Sequence, residues 1–85
     1  MSCYDETQKF FQFMETEDKL TDEEFVKQAT YWHRKYKEYA EDNYQLMIRS
    51  LSYQEYEIAH TDYRVYKDRV EEIEEAAKTR GLILL

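Results

Sequence analysis

The 85-residue chain has no proline, a single glycine (Gly81) and a single cysteine (Cys3). Without the two residues that break helices, long uninterrupted helices are the expected local structure. One cysteine rules out an internal disulfide and suits a reducing compartment. At the chain's N-terminal edge its expected role is incidental. Long apolar runs are missing as well. The longest, Leu46–Ile48 and Leu82–Leu85, fall far short of a membrane span. Residues 1–20 lack a basic start followed by an apolar stretch, so no signal peptide and a cytoplasmic location are expected. A glycine-rich phosphate loop, zinc-type Cys/His spacing and a nucleophile motif are all absent from the sequence, which argues against an enzyme or a bound cofactor.

What is abundant is charge and aromatic surface. Nine tyrosines, four phenylalanines and one tryptophan are too many for a bare spacer helix, because aromatic side chains in helices pack against or bind something. Hydrophobic content at 42% places the chain outside disordered compositions. At this size one domain is expected, spanning 1–85, with a small core.

Helix boundaries are readable. Leu20-Thr21-Asp22-Glu23-Glu24-Phe25 carries a reciprocal cap between Thr21 and Glu24, three acids at the positive end of the dipole, and Leu20 with Phe25 at staple positions. Leu51-Ser52-Tyr53-Gln54-Glu55-Tyr56 repeats the pattern, with Ser52 as cap, Glu55 as its partner and Leu51 with Tyr56 as the staple. Lys78 and Arg80 followed by Gly81 mark a helix end, with Leu82 folding back. The prediction is an all-α fold: a short helix over about 3–16, with Ser2 as a cap, then helices over about 22–49 and 53–80 and an apolar tail, 82–85. The two long helices, each about 42 Å, pair as an antiparallel hairpin, or else run on as one helix of about 88 Å.

The apolar phase favours the break. Phe25, Ala29, Trp32, Tyr36, Ala40, Tyr44, Met47 and Leu51 form one stripe with an eleven-residue repeat. Tyr56, Ala59, Tyr63, Tyr66, Val70, Ile73 and Ala77 form a heptad seam. Leu51, Ile58 and Val65 make a second row that requires a third partner, and the first segment, with Tyr4, Phe10, Phe11, Phe13 and Met14, is the expected source. Those residues and the tail either close a three-helix core or form a subunit interface. Tyr31, Tyr39, Leu46, Ile48 and Tyr53 lie outside the main seams, a surplus that points to a homo-oligomer, with Phe10, Phe11, Phe13, Leu82 and Leu84 as interface candidates.

The net charge of −7 is unevenly laid out. A hairpin folded at 50–52 pairs residues whose numbers sum to about 101. This gathers Arg34, Lys35, Lys37, Arg64, Lys67 and Arg69 into a belt with Trp32, Tyr36, Tyr63 and Tyr66. The acids 22–24 and 71–75 collect at the open end. Like charges held together ask for a counter-charge. The bland account is a solvated surface with local pairs, Lys37–Glu41 and Lys67–Glu71. A second is self-complementarity between the acidic end of one copy and the waist of another. A third is a small anionic ligand such as a nucleotide, stacked on Trp32 or Tyr36 and held by Arg34 or Arg64. The candidate binding set is therefore Trp32, Arg34, Lys35, Tyr36, Lys37, Tyr63, Arg64 and Lys67. Extended nucleic acid is not expected, because the chain as a whole repels polyanions, and the central bases interrupt any mimicry of DNA.

Glu57-Ile58-Ala59-His60 has the Glu-x-x-His spacing of carboxylate-bridged metal bundles, with Glu41 opposite His60 in the hairpin. The spacing is common, and the seam uses Tyr56 and Ala59 instead, so no metal is expected. His33, in a charged stretch, should be exposed. In size and architecture alone the chain resembles phage-encoded inhibitors or ligand sponges of host defence, a resemblance that assigns no residue. The expected function is a non-catalytic helical module that binds, and thereby inhibits, a partner protein. The alternative is a sponge for a small anionic ligand at the waist.

Overall fold

The structure, a computed structural model, describes residues 3–84. The expected Ser2 cap and Leu85 lie outside the described residues. The chain forms α1 (Cys3–Thr16), one 3-10 turn (Glu17–Lys19), α2 (Asp22–Arg49) and α3 (Tyr53–Thr79). Helices α2 and α3 pack side by side as an antiparallel hairpin, which settles the choice against one continuous helix. The molecule measures 46 × 26 × 15 Å.

Each helix boundary has a local cause. At the start of α2 the Thr21 hydroxyl accepts from the Glu24 amide at 3.2 Å, and the Glu24 carboxylate accepts from the Thr21 amide at 3.1 Å. Both halves of the capping box are thus present. At the turn, Ser50 leaves the helix in an extended conformation. Ser52 caps α3, accepting from the Glu55 amide at 3.2 Å. Here the reading from sequence needs correction, because the Glu55 carboxylate accepts from the Leu51 amide, one residue earlier than expected, at 3.2 Å. The Leu51–Tyr56 staple also fails to form, since Leu51 is 97% exposed. Helix α3 ends in a Schellman motif. The Gly81 amide donates to Lys78 O and the Leu82 amide to Ala77 O, each at 2.9 Å, with Gly81 at φ +72°. A Cβ at this glycine would meet no neighbour, so only the left-handed backbone calls for glycine there.

The main core cluster sits in the half of the hairpin nearest its open end. Phe10 and Phe13 of α1 enter a cluster with Phe25, Ala29, Trp32, Tyr36, Val70, Ile73 and Ala77, against which Met14, Leu20, Leu82 and Leu84 also pack. The ring of Phe10 meets those of Tyr36 and Trp32 edge-on at 5.0 and 5.7 Å, an arrangement that rings prefer electrostatically. Four of the five residues expected at a subunit interface are therefore committed to the protomer itself. Phe10 and Phe13 are buried, Leu82 and Leu84 half-buried, and only Phe11 is exposed. With so few residues, the chain needs these apolar ends to complete any core at all.

Helix α1 is 14 residues and α2 is 28, so α1 spans about 21 Å of a hairpin about 42 Å long. It covers one face of the proximal half and stops beside Tyr39, whose hydroxyl donates to Glu6 at 3.1 Å. It does not reach the row of Leu51, Ile58 and Val65, which it was expected to cover. Those residues are 97%, 61% and 41% exposed. In the distal half the apolar stripes of α2 and α3 bury little beyond Ala40 and Ala59.

Candidate functional site: two faces of the distal hairpin

The expected basic waist is only partly assembled. Trp32 and Tyr36 are 6% and 1% exposed, so their rings are core surfaces and offer no platform to a ligand. Lys35 is tied into α1. Its ammonium lies 2.6 Å from the Glu6 carboxylate and 3.0 Å from the Tyr31 hydroxyl. The hydrogen bond to Glu6 holds the Lys35 ammonium above its ordinary pKa. The same contact, with help from Tyr39, holds the Glu6 carboxyl below its own. Arg34, Lys37, Arg64 and Lys67 are exposed. Lys67 places its ammonium 5.6 Å from the ring centre of the half-buried Tyr63.

Two arginines do more than their sequence context suggested. Arg69 sits inside an aromatic enclosure, 5.1–5.9 Å from the ring centres of Tyr36, Phe11, Phe10 and Tyr66, and donates to the Tyr36 hydroxyl at 3.2 Å. Burial raises the pKa of the Tyr36 phenol, against the opposing effect of Arg69. Arg80 closes the open end. It lies 4.5 Å from the Phe25 ring centre, pairs with Asp22 at 2.8 Å and with Glu17 at 3.5 Å, and donates to the carbonyls of Glu17 and Leu20. The acidic end expected from sequence thus has an internal cation. His33, expected to be exposed, is 4% exposed and hydrogen-bonds Glu74 across the hairpin at 3.1 Å. Its position beside Trp32 on a helix whose inner stripe includes Tyr36 was the available signal.

The metal-like spacing has no metal geometry. His60 stacks on Tyr56 at 5.7 Å, and Glu41 accepts from Gln45 on its own helix at 3.1 Å. Among the described residues, no group of three or more His, Cys, Asp or Glu is placed to hold a metal ion. No helix among them is long and apolar enough to cross a membrane.

What remains open to solvent is concentrated beyond Ala40, on two sides of the hairpin. Along one side, Tyr44 meets Tyr63 at 5.9 Å, Tyr56 stacks on His60, and Ile48 lies one turn from Tyr44. Tyr53 stands at the end of this side, 78% exposed. A hydrogen bond to Glu57 pushes its phenol pKa up. Along the other side, Leu46 and Ile58 line an open groove with Asn43, Arg49, Glu55 and Asp62. A third opening, between α1 and α2, has a volume of about 870 Å³ and is bordered by Lys9, Lys27 and Tyr31, with Trp32 among its lining residues.

These features define a small all-α protein, a helical hairpin braced at one end by a short N-terminal helix. No protein-family model, curated protein or solved structure matches the chain.

Proposed function

We propose that the chain is a non-catalytic helical interaction module that acts by occupying a partner protein, and that the tyrosine-rich side of the distal hairpin makes the contact. The observation that carries this reading is the placement of Tyr44, Ile48, Tyr53 and Tyr56. All four are exposed, on a part of the molecule that contributes little to its own core. Tyrosines supply large contact area at low entropic cost, with a hydroxyl for the partner's polar groups, and they are enriched among residues that dominate binding. The folded proximal half anchors the display from one end. The test is a pair of substitutions, Tyr53→Ala with Tyr56→Ala, in a pull-down from the native host. A partner recovered by the wild type should be lost at least tenfold by the variant, with the thermal melt unchanged. Equal recovery would reject this surface.

One observation favours the second reading, a sponge for a small anionic ligand. The opening between α1 and α2 sets Lys9 and Lys27 near the exposed ring of Tyr31, with the Glu24 carboxylate also on its border, and two ammonium groups beside a ring face suit a phosphate and a base. Calorimetric titration with linear and cyclic nucleotides tests it. Binding should be weakened by Lys9→Ala with Lys27→Ala, and a wild type that binds none of the panel rejects the reading for those ligands.

A further inference from the structure

We propose that the opening between α1 and α2 takes an adenine mononucleotide, with Tyr31 stacking the base, the amides of Gln12 and Gln28 reading its edge, and Lys9 with Lys27 holding one phosphate. This rests on the reading of that opening as an anion site, and it uses no residue of the distal hairpin. The first argument is a platform already set in place. Tyr31 is 55% exposed, yet its ring is held at both ends. Its hydroxyl accepts from Lys35 at 3.0 Å, and Lys35 is bridged to Glu6 of α1 at 2.6 Å. The ring itself meets the buried Trp32 edge-on at 5.0 Å. A tyrosine fixed in this way loses little freedom when a base stacks on it.

The second argument is register. Phe13 meets Phe25, Phe10 meets Trp32 and Glu6 meets Lys35. Helices α1 and α2 therefore run antiparallel, and residues whose numbers sum to about 40 lie level. Gln12 and Gln28 both line the opening, and this register sets them across it from each other, one turn from Tyr31. Among the described residues, neither side-chain amide has a hydrogen-bond partner. Each offers an acceptor beside a donor, the pair that matches the edge of adenine.

The third argument is charge. Lys9 enters the opening from α1 and Lys27 from α2. By the same register they stand about 6 Å apart along the groove, and their four-carbon stems let both reach one phosphate. Among the described residues, no ion pair engages either one. Glu24 borders the opening at its far end, seven residues or about 10 Å along α2 from Tyr31. The amide and hydroxyl of Thr21 hold its carboxyl below the ordinary pKa, so it stands there as a fixed anion. On a chain of net charge −7, that carboxylate opposes a longer phosphate chain.

Calorimetric titration of the full chain tests the proposal, with five probes: adenosine monophosphate, adenosine triphosphate, uridine monophosphate, adenosine and inorganic phosphate. Adenosine monophosphate should bind at least tenfold tighter than each of the others. Gln12→Ala with Gln28→Ala should remove its advantage over uridine monophosphate. Both glutamines are exposed, so the melt of that variant should match the wild type. Tyr31→Ala should weaken both monophosphates at least fivefold. A glutamine double variant that still prefers adenine overturns the proposal, as does a triphosphate that binds as tightly as the monophosphate. Inorganic phosphate that binds as tightly as adenosine monophosphate, and is lost in Lys9→Ala with Lys27→Ala, overturns it too but leaves the anion site standing. A wild type that binds none of the five at about 1 mM overturns this proposal and the anion reading together for those ligands.

Discussion

Arg80 lies across the face of Phe25, its guanidinium carbon 4.5 Å from the ring centre. From that position one side chain ties the end of α3 to the start of α2 and to the turn before it. The contacts are charge-assisted and the side chain is only 16% exposed, so they are screened less than a surface pair. Arg80→Ala should cost about 2–3 kcal/mol in denaturant melts. Arg80→Lys should recover less than half, because an ammonium cannot serve two carbonyls, two carboxylates and a ring face at once.

Phe10 and Phe11 are neighbours with opposite fates. Phe10 is fully buried and Phe11 is 48% exposed. Phe10→Ala should cost about 3–5 kcal/mol and unfold a large fraction of a chain this small. Phe11→Ala loses a half-exposed ring that lies against Arg69 and should cost about 1 kcal/mol. Thermal melts of both variants at one concentration check the contrast.

The hairpin turn depends on Ser52. Its hydroxyl accepts the Glu55 amide, so Ser52→Ala should cost about 1 kcal/mol. Chemical denaturation of the two proteins measures this, and a neutral or stabilising alanine would contradict the cap.

The Glu6–Lys35 bridge sets a pH window. The carboxyl of Glu6 has its pKa lowered in the folded state. Its contribution is therefore complete above the ordinary value of about 4.5 and is lost as pH falls through the folded value. The ammonium of Lys35 has its pKa raised. Its contribution is complete below about 10.5 and is lost as pH rises beyond the folded value. The stability gap between wild type and Glu6→Gln should be flat between these limits and close at both extremes. Melts at pH 3, 7 and above 11 test the sign at each end.

Much of the fold was legible because local chemistry marks it. Thr21 with Glu24, Ser52, and Gly81 each define a boundary through contacts made within a few residues. The inner stripe from Phe25 to Ala40 follows from helical spacing. What the sequence left open is placement, since the predicted bounds already make α1 half as long as α2 without saying which half it covers. Helix α1 has the apolar residues to cover a hairpin, yet its length lets it cover only half, so Phe10 and Phe13 went into the core and Leu51, Ile58 and Val65 stayed out. The candidate site suffered for the same reason. Trp32, Tyr36 and Lys35 sit at the waist as expected, but α1 packs over them and consumes them. Arg69 and Arg80 were visible only as charge, because their partners are distant in sequence. Tyr63 and Lys67 were placed together by simple helical spacing and do touch.

A brace that ends halfway divides the molecule mechanically. Amide protons of 25–40 and 66–77 should exchange only when the whole protein opens, while those near 44–62 should exchange through cheaper, local fluctuations. The distal half can then adjust its interhelical spacing to whatever settles on it, without the proximal half registering the change. On the proposed function, fold and fit would reside in separate cooperative units, so substitutions that retune the tip for a new contact surface should leave the global unfolding transition where it was.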